Sequence, residues 1–352
     1  MTYKNILVTG GCGFIGSHFV ALTLRNYLDV TVTNVDSMTY AAHPDTEAYL
    51  RTLAPERYQF VRADIGAPEL EDVLRERKID AVVNFAAESH VDRSILDPGS
   101  FVRTNVMGTQ NLITLARKVG GIRFVHVSTD EVYGTLKPKD AAFTEASMLD
   151  PNSPYAASKA SADLLALANQ RTFDLDLVIT RCTNNYGPFQ FPEKLLPLVI
   201  ANAVEELPIP VYGDGKQVRD WIYVEDHCSG IDAVLRKGRT GEVYNISAAD
   251  ERHNIDLIRH VLQILKKSDS LIHYVGDRPA HDRRYALDAK KIQRELGWQP
   301  AFSFEQGLKK TIEWYLSNES WWKKVRDGEY LKYYRANYDG KIKAGKEGTF
   351  VS

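Results

Sequence analysis

The segment Gly10-Gly11-Cys12-Gly13-Phe14-Ile15-Gly16 decides the fold, because it follows the apolar run Ile6-Leu7-Val8 and opens a predicted helix. Glycines at positions 10, 13 and 16 allow a tight turn, a close approach of the backbone to a pyrophosphate, and close packing of the helix on the strand. The N-terminus of the helix would face the phosphates with its partial positive charge. The segment therefore predicts a strand–turn–helix unit that binds a dinucleotide, with a glycine-rich turn that binds nothing as the alternative.

Further apolar runs repeat the strand-and-helix pattern. Each is short, β-branched or aromatic, and bounded by turn or helix-start residues; they lie at 30–32, 58–61, 81–83, 124–127 and 175–179. This alternation is typical of a parallel sheet with helical crossovers, so we predict an α/β protein with a Rossmann-type doubly wound parallel sheet. We expect one more strand of this sheet at 243–246, and helices at 255–266 and 304–317.

The pattern breaks after Pro188, where prolines at 192, 197, 208 and 210 and a Gly213-Asp214-Gly215 turn indicate a loop-rich region. We expect a smaller, mixed C-terminal lobe that binds the substrate. The predicted division is a cofactor-binding domain of residues 1–187 and about 221–250, a substrate-binding domain of 188–220 and about 251–335, and a tail at 336–352.

The composition excludes several classes of protein. The 352 residues carry a formal net charge of −2, which argues against a protein that binds nucleic acid or a membrane surface, and no apolar run approaches the length of a bilayer span. The N-terminus leads directly into a strand, so no signal peptide is expected. Cys12, Cys182 and Cys228 are scattered and odd in number, which predicts neither disulfides nor a metal site and fits a cytoplasmic protein.

An acid in the expected place indicates which dinucleotide binds. The second predicted strand ends at Asp36, about 20 residues beyond the glycine-rich turn, where a carboxylate can bind a ribose 2′-hydroxyl. Asp36 would repel a 2′-phosphate, and the next residue is Ser37 rather than a basic residue. These features favour NAD over NADP. Asp64, after the third strand, is either an adenine contact or a helix N-cap.

Tyr155-Ala-Ala-Ser-Lys159 places a tyrosine and a lysine one helical turn apart, on one face. A tyrosine titrates at a pH of about 10, so it needs nearby positive charge to act as a base near neutral pH. Lys159 and the nicotinamide ring could supply that charge. The alternative is a surface pair on an amphipathic helix.

Asp130 and Glu131 end the apolar run at 124–129. Two close carboxyl groups in different environments can serve as a general acid and a general base. Neighbours on a regular strand point to opposite faces, so both can reach one substrate only if the strand has ended, as Gly134 indicates. The alternative is a solvated strand end.

Seven segments together resemble a known family: 9–17, 85–94, 128–134, Tyr155-x-x-x-Lys159, 181–188, 191–195 and 218–221. The chain resembles the extended short-chain dehydrogenase/reductases that act on nucleotide sugars, most closely the dTDP-glucose 4,6-dehydratase family, from about residue 3 to about 335. The Asp-Glu pair is the most specific signal, since the related epimerases usually carry small residues there.

The resemblance implies a hydro-lyase that converts dTDP-glucose to dTDP-4-keto-6-deoxyglucose and water, with NAD bound and regenerated. Tyr155 would take the proton of the C4 hydroxyl, Glu131 would remove the C5 proton, and Asp130 would protonate the departing C6 hydroxyl. It also implies a homodimer formed by two helices of each subunit, at about 100–118 and 155–172.

The resemblance implies further contacts residue by residue. The catalytic set is Thr129, Asp130, Glu131, Tyr155 and Lys159. The cofactor set is Gly10, Gly13, Phe14, Ile15, Gly16, Asp36, Ser37, Thr39, Asp64, Ile65, Ala86, Ala87, Ser89, Thr104, Tyr155, Lys159 and Asn185. The substrate set is Ser89, Thr129, Asn184, Glu193, Lys194, Leu195, Pro210, Tyr212, Arg219, Asn254, Arg278 and His281.

Other functions stay open at this point. An epimerase or a decarboxylase would share the C4 oxidation, although the Asp-Glu pair speaks against the first and no arginine for a sugar carboxylate can be placed for the second. A non-catalytic NAD-binding regulator would need degraded catalytic residues, which this chain does not have. The nucleotide of the substrate, dTDP or UDP or CDP, is also left open, because the family usually has glycine where this chain has Ala280, beside His281.

Overall fold

A computed structural model describes residues 2–279 and 281–326, and its centre is a sheet of seven parallel strands. Residues 327–335 of the predicted second domain and the predicted tail lie outside the described residues. In chain order the strands are β1 (Asn5–Thr9), β2 (Thr31–Asp36), β3 (Tyr58–Arg62), β4 (Ala81–Asn84), β5 (Arg123–Thr129), β6 (Leu177–Cys182), β7 (Asn184–Tyr186), β8 (Ile209–Tyr212), β9 (Val218–Tyr223), β10 (Val243–Ile246), β11 (Glu251–His253) and β12 (Ile272–Val275).

The order of the central sheet confirms the predicted doubly wound fold. It reads β10-β6-β5-β4-β1-β2-β3, and β10 joins it as the sequence predicted. The chain winds outward from β1 through β2 to β3, then returns to the other side of β1 with β4. At such a switch point the carboxyl ends of the strands leave a crevice for a ligand.

Helices cover both faces of this sheet. In chain order they are α1 (Phe14–Asn26), α2 (Pro44–Leu53), α3 (Leu70–Glu76), α4 (Val91–Leu96), α5 (Pro98–Phe101), α6 (Thr109–Val119), α7 (Pro154–Phe173), α8 (Leu195–Val204), α9 (Val224–Lys237), α10 (Asn254–Ile264), α11 (Lys290–Leu296), α12 (Phe304–Ser317) and α13 (Glu319–Val325). Val8 packs in one core with residues of α1 and α9, whereas its neighbour Leu7 packs in a second core with residues of α3, α6 and α7. Because both faces are buried, the central strands are largely apolar, with a few polar residues such as Asn34, His126 and Arg181 buried among them.

Two smaller sheets form the rest of the fold. One has the order β11-β9-β7, with one parallel and one antiparallel pairing, and the other pairs β12 with β8 in parallel. Apart from α9 and β10, which pack with the central sheet, the region after Pro188 therefore forms the smaller, mixed lobe that was predicted. It also contains α8, which the sequence did not predict; Pro197 is tolerated because it lies in the first turn, where its missing N–H has no intrahelical partner.

The helix predicted at about 100–118 is interrupted. A π-helical segment, Val102–Gly108, lies between α5 and α6. The helices predicted at 155–172, 255–266 and 304–317 are observed as α7, α10 and α12. Among residues 2–279 and 281–326, no helix has the length and apolar character needed to cross a membrane.

An aromatic cluster connects α2 with α12 and α13 and is centred on Phe189. The Phe189 ring stacks on Tyr49 at 5.5 Å between centroids, and it lies 4.8 Å from Trp314 and 5.8 Å from Trp321. Phe189 has a φ of 63°, in the left-handed region that bulky residues rarely adopt. This backbone conformation turns its ring into the cluster while the loop at 188–194 continues toward the crevice.

Candidate active site

The glycine-rich turn brings bare backbone to the switch point. Gly10 has a φ of 68°, and its N–H donates to the Val35 carbonyl at 2.8 Å. A Cβ at position 10 would lie 2.8 Å from the Ala86 nitrogen, so only glycine fits between β1 and the loop after β4. Gly13 caps α1 without any side-chain hydrogen bond. The first amides of α1 therefore remain available to an anion such as a pyrophosphate.

One cavity, of about 310 Å³, extends from this turn. It is lined by the whole predicted cofactor set: Gly10, Gly13, Phe14, Ile15, Gly16, Asp36, Ser37, Thr39, Asp64, Ile65, Ala86, Ala87, Ser89, Thr104, Tyr155, Lys159 and Asn185. The structure thus brings together residues that lie as far apart in sequence as 10 and 185. We refer to this space as the cofactor cavity.

Asp36 is held rigidly at the end of β2. Its Oδ2 accepts from the Cys12 N–H at 2.9 Å and its Oδ1 accepts from the Met38 N–H at 2.8 Å. A carboxylate oxygen can accept more than one hydrogen bond, so both oxygens keep capacity for the hydroxyls of a ribose. Asp64 accepts from the Gly66 N–H, and α3 begins only at Leu70, so Asp64 is not the N-cap of that helix.

The predicted base and its cation reach the cofactor cavity from the first turns of α7. Ser153 caps this helix, and Tyr155 and Lys159 follow on its buried face. The Lys159 Nζ donates to the Val127 carbonyl at 2.8 Å, and burial lowers the pKa of Lys159 to about 8. Burial, and then the Glu131 carboxylate, raise the pKa of Tyr155 well above its ordinary value. Tyr155 therefore needs positive charge beside it before it can accept a proton.

The Asp-Glu pair lies beyond the end of a strand, as its proposed use requires. β5 ends at Thr129, and a 3₁₀ turn, Asp130–Tyr133, follows. The Thr129 hydroxyl donates to Asp130 Oδ1 at 3.2 Å and accepts from the Glu131 N–H at 3.3 Å. The turn takes the two carboxyl groups off the alternating geometry of a strand.

A second cavity, of about 170 Å³, adjoins the first. Of the predicted substrate set it is lined by Leu195, Pro210, Tyr212, Arg219, Asn254, Arg278 and His281. Ser89 and Thr129 line the cofactor cavity instead, and Asn184, Glu193 and Lys194 line both cavities, as does Glu131. We call this space the cation cavity. Asp130, by contrast, lines neither cavity.

The cation cavity concentrates positive charge. Arg219 lies over the Tyr285 ring and donates to the carbonyls of Val218 and Asp282, while Lys194 Nζ donates to the Ser89 carbonyl at 2.8 Å. Burial lowers the pKa of Lys194 and also that of Arg219. Glu131 and Glu193 line the same cavity and offset part of this charge, and the guanidinium and ammonium donors suit a diphosphate.

The far end of the cation cavity has polar and aromatic groups. The Tyr212 ring lies 6.0 Å from His281 in an edge-on arrangement, and the Tyr212 hydroxyl donates to Asp92. Arg278 also donates to Asp92, at 3.3 Å. Within the described part of the chain, Asn254 Oδ1 is buried without a hydrogen-bond partner, so an acceptor here faces the cavity unused.

Some lining residues were missed by the sequence reasoning. Gln217 donates to Asp277 and lies beside His281, and His90 and Cys182 also line a cavity. His90 and Cys182 stand inside segments that carried the family resemblance, and Gln217 immediately precedes one. Their position within or next to such a segment was the sequence signal that could have identified them as lining residues. Among residues 2–279 and 281–326, no group of three His, Cys, Asp or Glu residues could hold a metal ion.

Comparisons with known proteins agree with this geometry. The model of the GDP-mannose 4,6 dehydratase family matches residues 7–311. A dTDP-glucose 4,6-dehydratase of Xanthomonas campestris pv. campestris (strain B100) is 50% identical over 343 residues, covering 92% of this chain and 96% of that protein. The solved structure of the Streptomyces venezuelae dTDP-glucose 4,6-dehydratase with NAD and TYD bound is 49% identical and has a TM-score of 0.87, covering 92% of this chain and all 100% of that one. The Bacillus anthracis dTDP-glucose 4,6-dehydratase in complex with NAD is 48% identical with a TM-score of 0.85, covering 92% and 99%.

Proposed function

The chain belongs to the GDP-mannose 4,6 dehydratase family, and on that premise we propose that it is a dTDP-glucose 4,6-dehydratase, a hydro-lyase that uses bound NAD. The product would be dTDP-4-keto-6-deoxyglucose. The observation that carries this proposal is the position of Glu131, which lines the cofactor cavity and the cation cavity at once. A sugar whose diphosphate occupies the cation cavity would extend past Glu131 toward Tyr155.

The cofactor cavity fits NAD. Bare backbone at Gly10, the uncapped start of α1 and the doubly anchored Asp36 suit a pyrophosphate and an unphosphorylated ribose. Gly10, Gly13, Asp36 and the other lining residues of the cofactor set would hold it. When bound, NAD supplies the oxidation of C4 and the matching reduction of C6.

Tyr155, Glu131 and Asp130 divide the proton transfers. Tyr155 takes the proton of the C4 hydroxyl, aided by the charge of Lys159 one turn away. The new C4 ketone acidifies the C5 proton, which Glu131 removes. Asp130 gives its proton to the C6 hydroxyl, which leaves as water, and Glu131 returns a proton to C5 after C6 is reduced. One water is released. Tyr155 has then gained one proton and Asp130 has lost one, so a proton passes from Tyr155 to Asp130, directly or through solvent, before the next turnover.

The role of Asp130 as the general acid is supported by the direction of its pKa shift and by one carboxyl oxygen that makes no hydrogen bond. Burial and the neighbouring Glu131 raise the pKa of Asp130 well above its ordinary value, which favours its protonated form. Within the described residues, its Oδ2 makes no hydrogen bond. Because Asp130 lines neither cavity, we propose that a rotation of its side chain brings this oxygen to the sugar.

The proposed binding of the nucleotide diphosphate is supported by the cations of the cation cavity and by the relatives of this chain. Lys194, Arg219 and Arg278 would bind the diphosphate, with Tyr212 and His281 beside the base. The relatives named above are dTDP-glucose 4,6-dehydratases, which favours thymine over uracil or cytosine. An epimerase is disfavoured, since C4 epimerisation has no use for a protonated Asp130 beside Glu131.

The experiment is a single incubation of the purified protein with dTDP-glucose in deuterated water, with no cofactor added. We expect a 4-keto-6-deoxy sugar carrying deuterium at C5, and a weaker reaction with UDP- or CDP-glucose. Protein that is shown to contain NAD yet forms no keto sugar and no C5 deuterium would refute the dehydratase. A 4-epimer without loss of water would replace it by an epimerase.

The remaining expectations are also proposals. We propose a homodimer through α7 and the helical region 98–119, which is supported by the exposed apolar side chains of Val102, Met107 and Leu164. We propose work in the cytoplasm, which the three free, buried cysteines suit. We also propose the division into two domains with the predicted boundaries.

A further inference from the structure

Behind Lys159 lies a buried group of charges that the proposed mechanism does not use. Arg181 Nε donates to Asp163 Oδ2 at 2.8 Å, and His126 Nε2 lies 3.5 Å from Asp163 Oδ1. The three side chains are almost fully buried, and none of them lines either cavity. We call these three residues the Asp163 cluster. A buried charge is costly unless it is paired, so the cluster needs an explanation.

Helix α7 aligns this cluster with the active site. Tyr155, Lys159 and Asp163 are spaced by four residues, so they lie on successive turns of one helix face, the face turned to the sheet. Lys159 Nζ reaches the carbonyl of Val127 on β5, and His126 is the preceding residue of that strand. Asp163 is therefore the anionic group one turn below Lys159.

The hydrogen bonds fix the state of His126. Asn84 Oδ1 accepts from the Thr9 hydroxyl, so its amide Nδ2 faces His126 Nδ1, at 3.4 Å. His126 Nδ1 then accepts, and the ring carries its hydrogen on Nε2, which points at Asp163. Burial, and then the charges of Lys159 and Arg181, lower the pKa of His126 well below its ordinary value, so the ring is neutral.

The charge count leaves one excess positive charge. Asp163 is a single carboxylate shared by Arg181 and Lys159, because the neutral His126 ring carries no charge. An ionised Tyr155 would balance the remaining charge. The titratable and charged groups that face Lys159 are Tyr155 and Asp163 on its own helix, His126 on β5, Arg181 and Cys182 on β6, and Asp130 and Glu131 on the turn after β5.

We infer that Asp163 is a positioning residue for the proton transfer at Tyr155, acting by keeping Lys159 charged inside the fold. The inference rests on the proposed function, because it assigns Lys159 the role of supporting an ionised Tyr155. Asp163 raises the pKa of Lys159 against burial, which lowers it to about 8. Without this carboxylate, Lys159 and Arg181 would be two buried cations sharing no acid, and Lys159 would give up its proton at a lower pH.

The test is Asp163→Asn, which keeps the shape of the side chain. Its amide oxygen can still accept from Arg181. In the holoprotein with isotope-labelled lysine, Lys159 is titrated by NMR, its signal assigned by its loss in Lys159→Met. We expect the midpoint of Lys159 to fall by about one pH unit or more, a tenfold change in its protonation.

Kinetics provide the second readout. Formation of the reduced cofactor with dTDP-glucose should fall off at a pH about one unit lower than in the wild type, with a loss of about twofold near pH 7 and about fivefold near pH 8. KM should stay unchanged because Asp163 lines neither cavity. The matched control is Asp72→Asn, on the exposed side of α3. Arg181→Gln should shift the Lys159 midpoint in the opposite direction, because Asp163 then serves Lys159 alone, and it replaces Asp163→Asn if that variant does not fold.

The outcomes separate the inference from the proposed function. An unchanged Lys159 midpoint and pH profile in the folded variants would overturn the inference and leave Asp163 a structural ion pair. A wild-type protein that forms no keto sugar would refute the dehydratase. In that case the NMR titration alone still decides whether Asp163 controls the charge of Lys159.

Discussion

Asp130 and Glu131 are adjacent in sequence, yet their carboxyl groups stand in different surroundings. Asp130 is 2% exposed, and burial, then Glu131 and Asp220, raise its pKa well above the ordinary value. Burial also raises the pKa of Glu131, but three cations of the cation cavity oppose that rise. The surroundings therefore favour the protonated form more strongly for Asp130 than for Glu131, which is the difference that an acid and a base require.

Glu131→Gln should stop the elimination after C4 has been oxidised. The amide cannot remove the C5 proton, whereas Tyr155 and Lys159 remain in place. We expect the reduced cofactor to accumulate, seen by its absorbance, while keto sugar formation falls about 100-fold or more. Glu56→Gln, an exposed site far along the chain, is the control. Normal turnover of Glu131→Gln without accumulation would remove Glu131 from the role of base.

At the scale of single residues, the sequence could identify groups whose motif is local. Tyr155 with Lys159, and Asp130 with Glu131, are short-range patterns with a chemical meaning of their own. The partnership of Asp163 with Arg181 and His126 joins a helix to two strands, so it appears only when the chain is folded. The burial of Asp130 away from both cavities is likewise a tertiary result.

At the scale of elements, the central strands were predictable because both of their faces are buried and their sequences are largely apolar. The pairing of β8 with β12 was not, since 209–212 and 272–275 are short and far apart in the chain. α8 was not predicted because it contains Pro197. The π-helical segment was not predicted because it has no glycine or proline before Gly108 to indicate an interruption of the helix. The type of an element, helix or strand, could be predicted from the local sequence pattern, whereas the strand with which it pairs could not.

Gly10→Ala should damage the strand–turn–helix unit and the cofactor cavity together. The new Cβ adds the strain of a φ of 68° and a contact of 2.8 Å with the Ala86 nitrogen, so we expect a loss of about 2–4 kcal/mol in stability. NAD should bind weakly or not at all. Thermal unfolding with and without NAD measures both effects.

Gly120→Ala separates strain from contact. Gly120 has a similar φ, 80°, but nothing lies within 4 Å of a Cβ placed there. Because its ψ is 156°, Gly120 lies in a region that is essentially restricted to glycine, so we expect this control to lose about 1–3 kcal/mol. It should bind NAD normally. Equal losses in the two variants would mean that the approach to Ala86 does not constrain the turn.

At the scale of the whole molecule, the two cavities share a wall that includes Glu131 and Glu193, because the chain passes between the two sheet systems more than once. β6 belongs to the central sheet, and β7, one residue later, belongs to the sheet of β9 and β11. The side chains of Asn184 and Glu131 therefore meet where these systems join, and each lines both cavities. The sequence indicated two lobes, and only the folded chain defined their junction.

The proposed dimer predicts a specific disruption. Leu164 and Met107 are 59% and 63% exposed, on α7 and on the π-helical segment, and a second copy would cover them. Leu164→Glu together with Met107→Glu should yield monomers by light scattering, with NAD still bound. Leu28→Glu, at a 79% exposed leucine elsewhere, should stay dimeric. A monomeric wild-type protein would contradict the proposal.

The aromatic cluster around Phe189 has an optical consequence. Trp314 and Trp321 touch the Phe189 ring, and the loop that continues from Phe189 supplies Gln190, Phe191, Glu193 and Lys194 to the cavity walls. Any ligand that shifts this loop alters the surroundings of two indole rings. The protein thus carries a built-in fluorescent reporter, whose emission can follow the filling of its own cavities without an added dye.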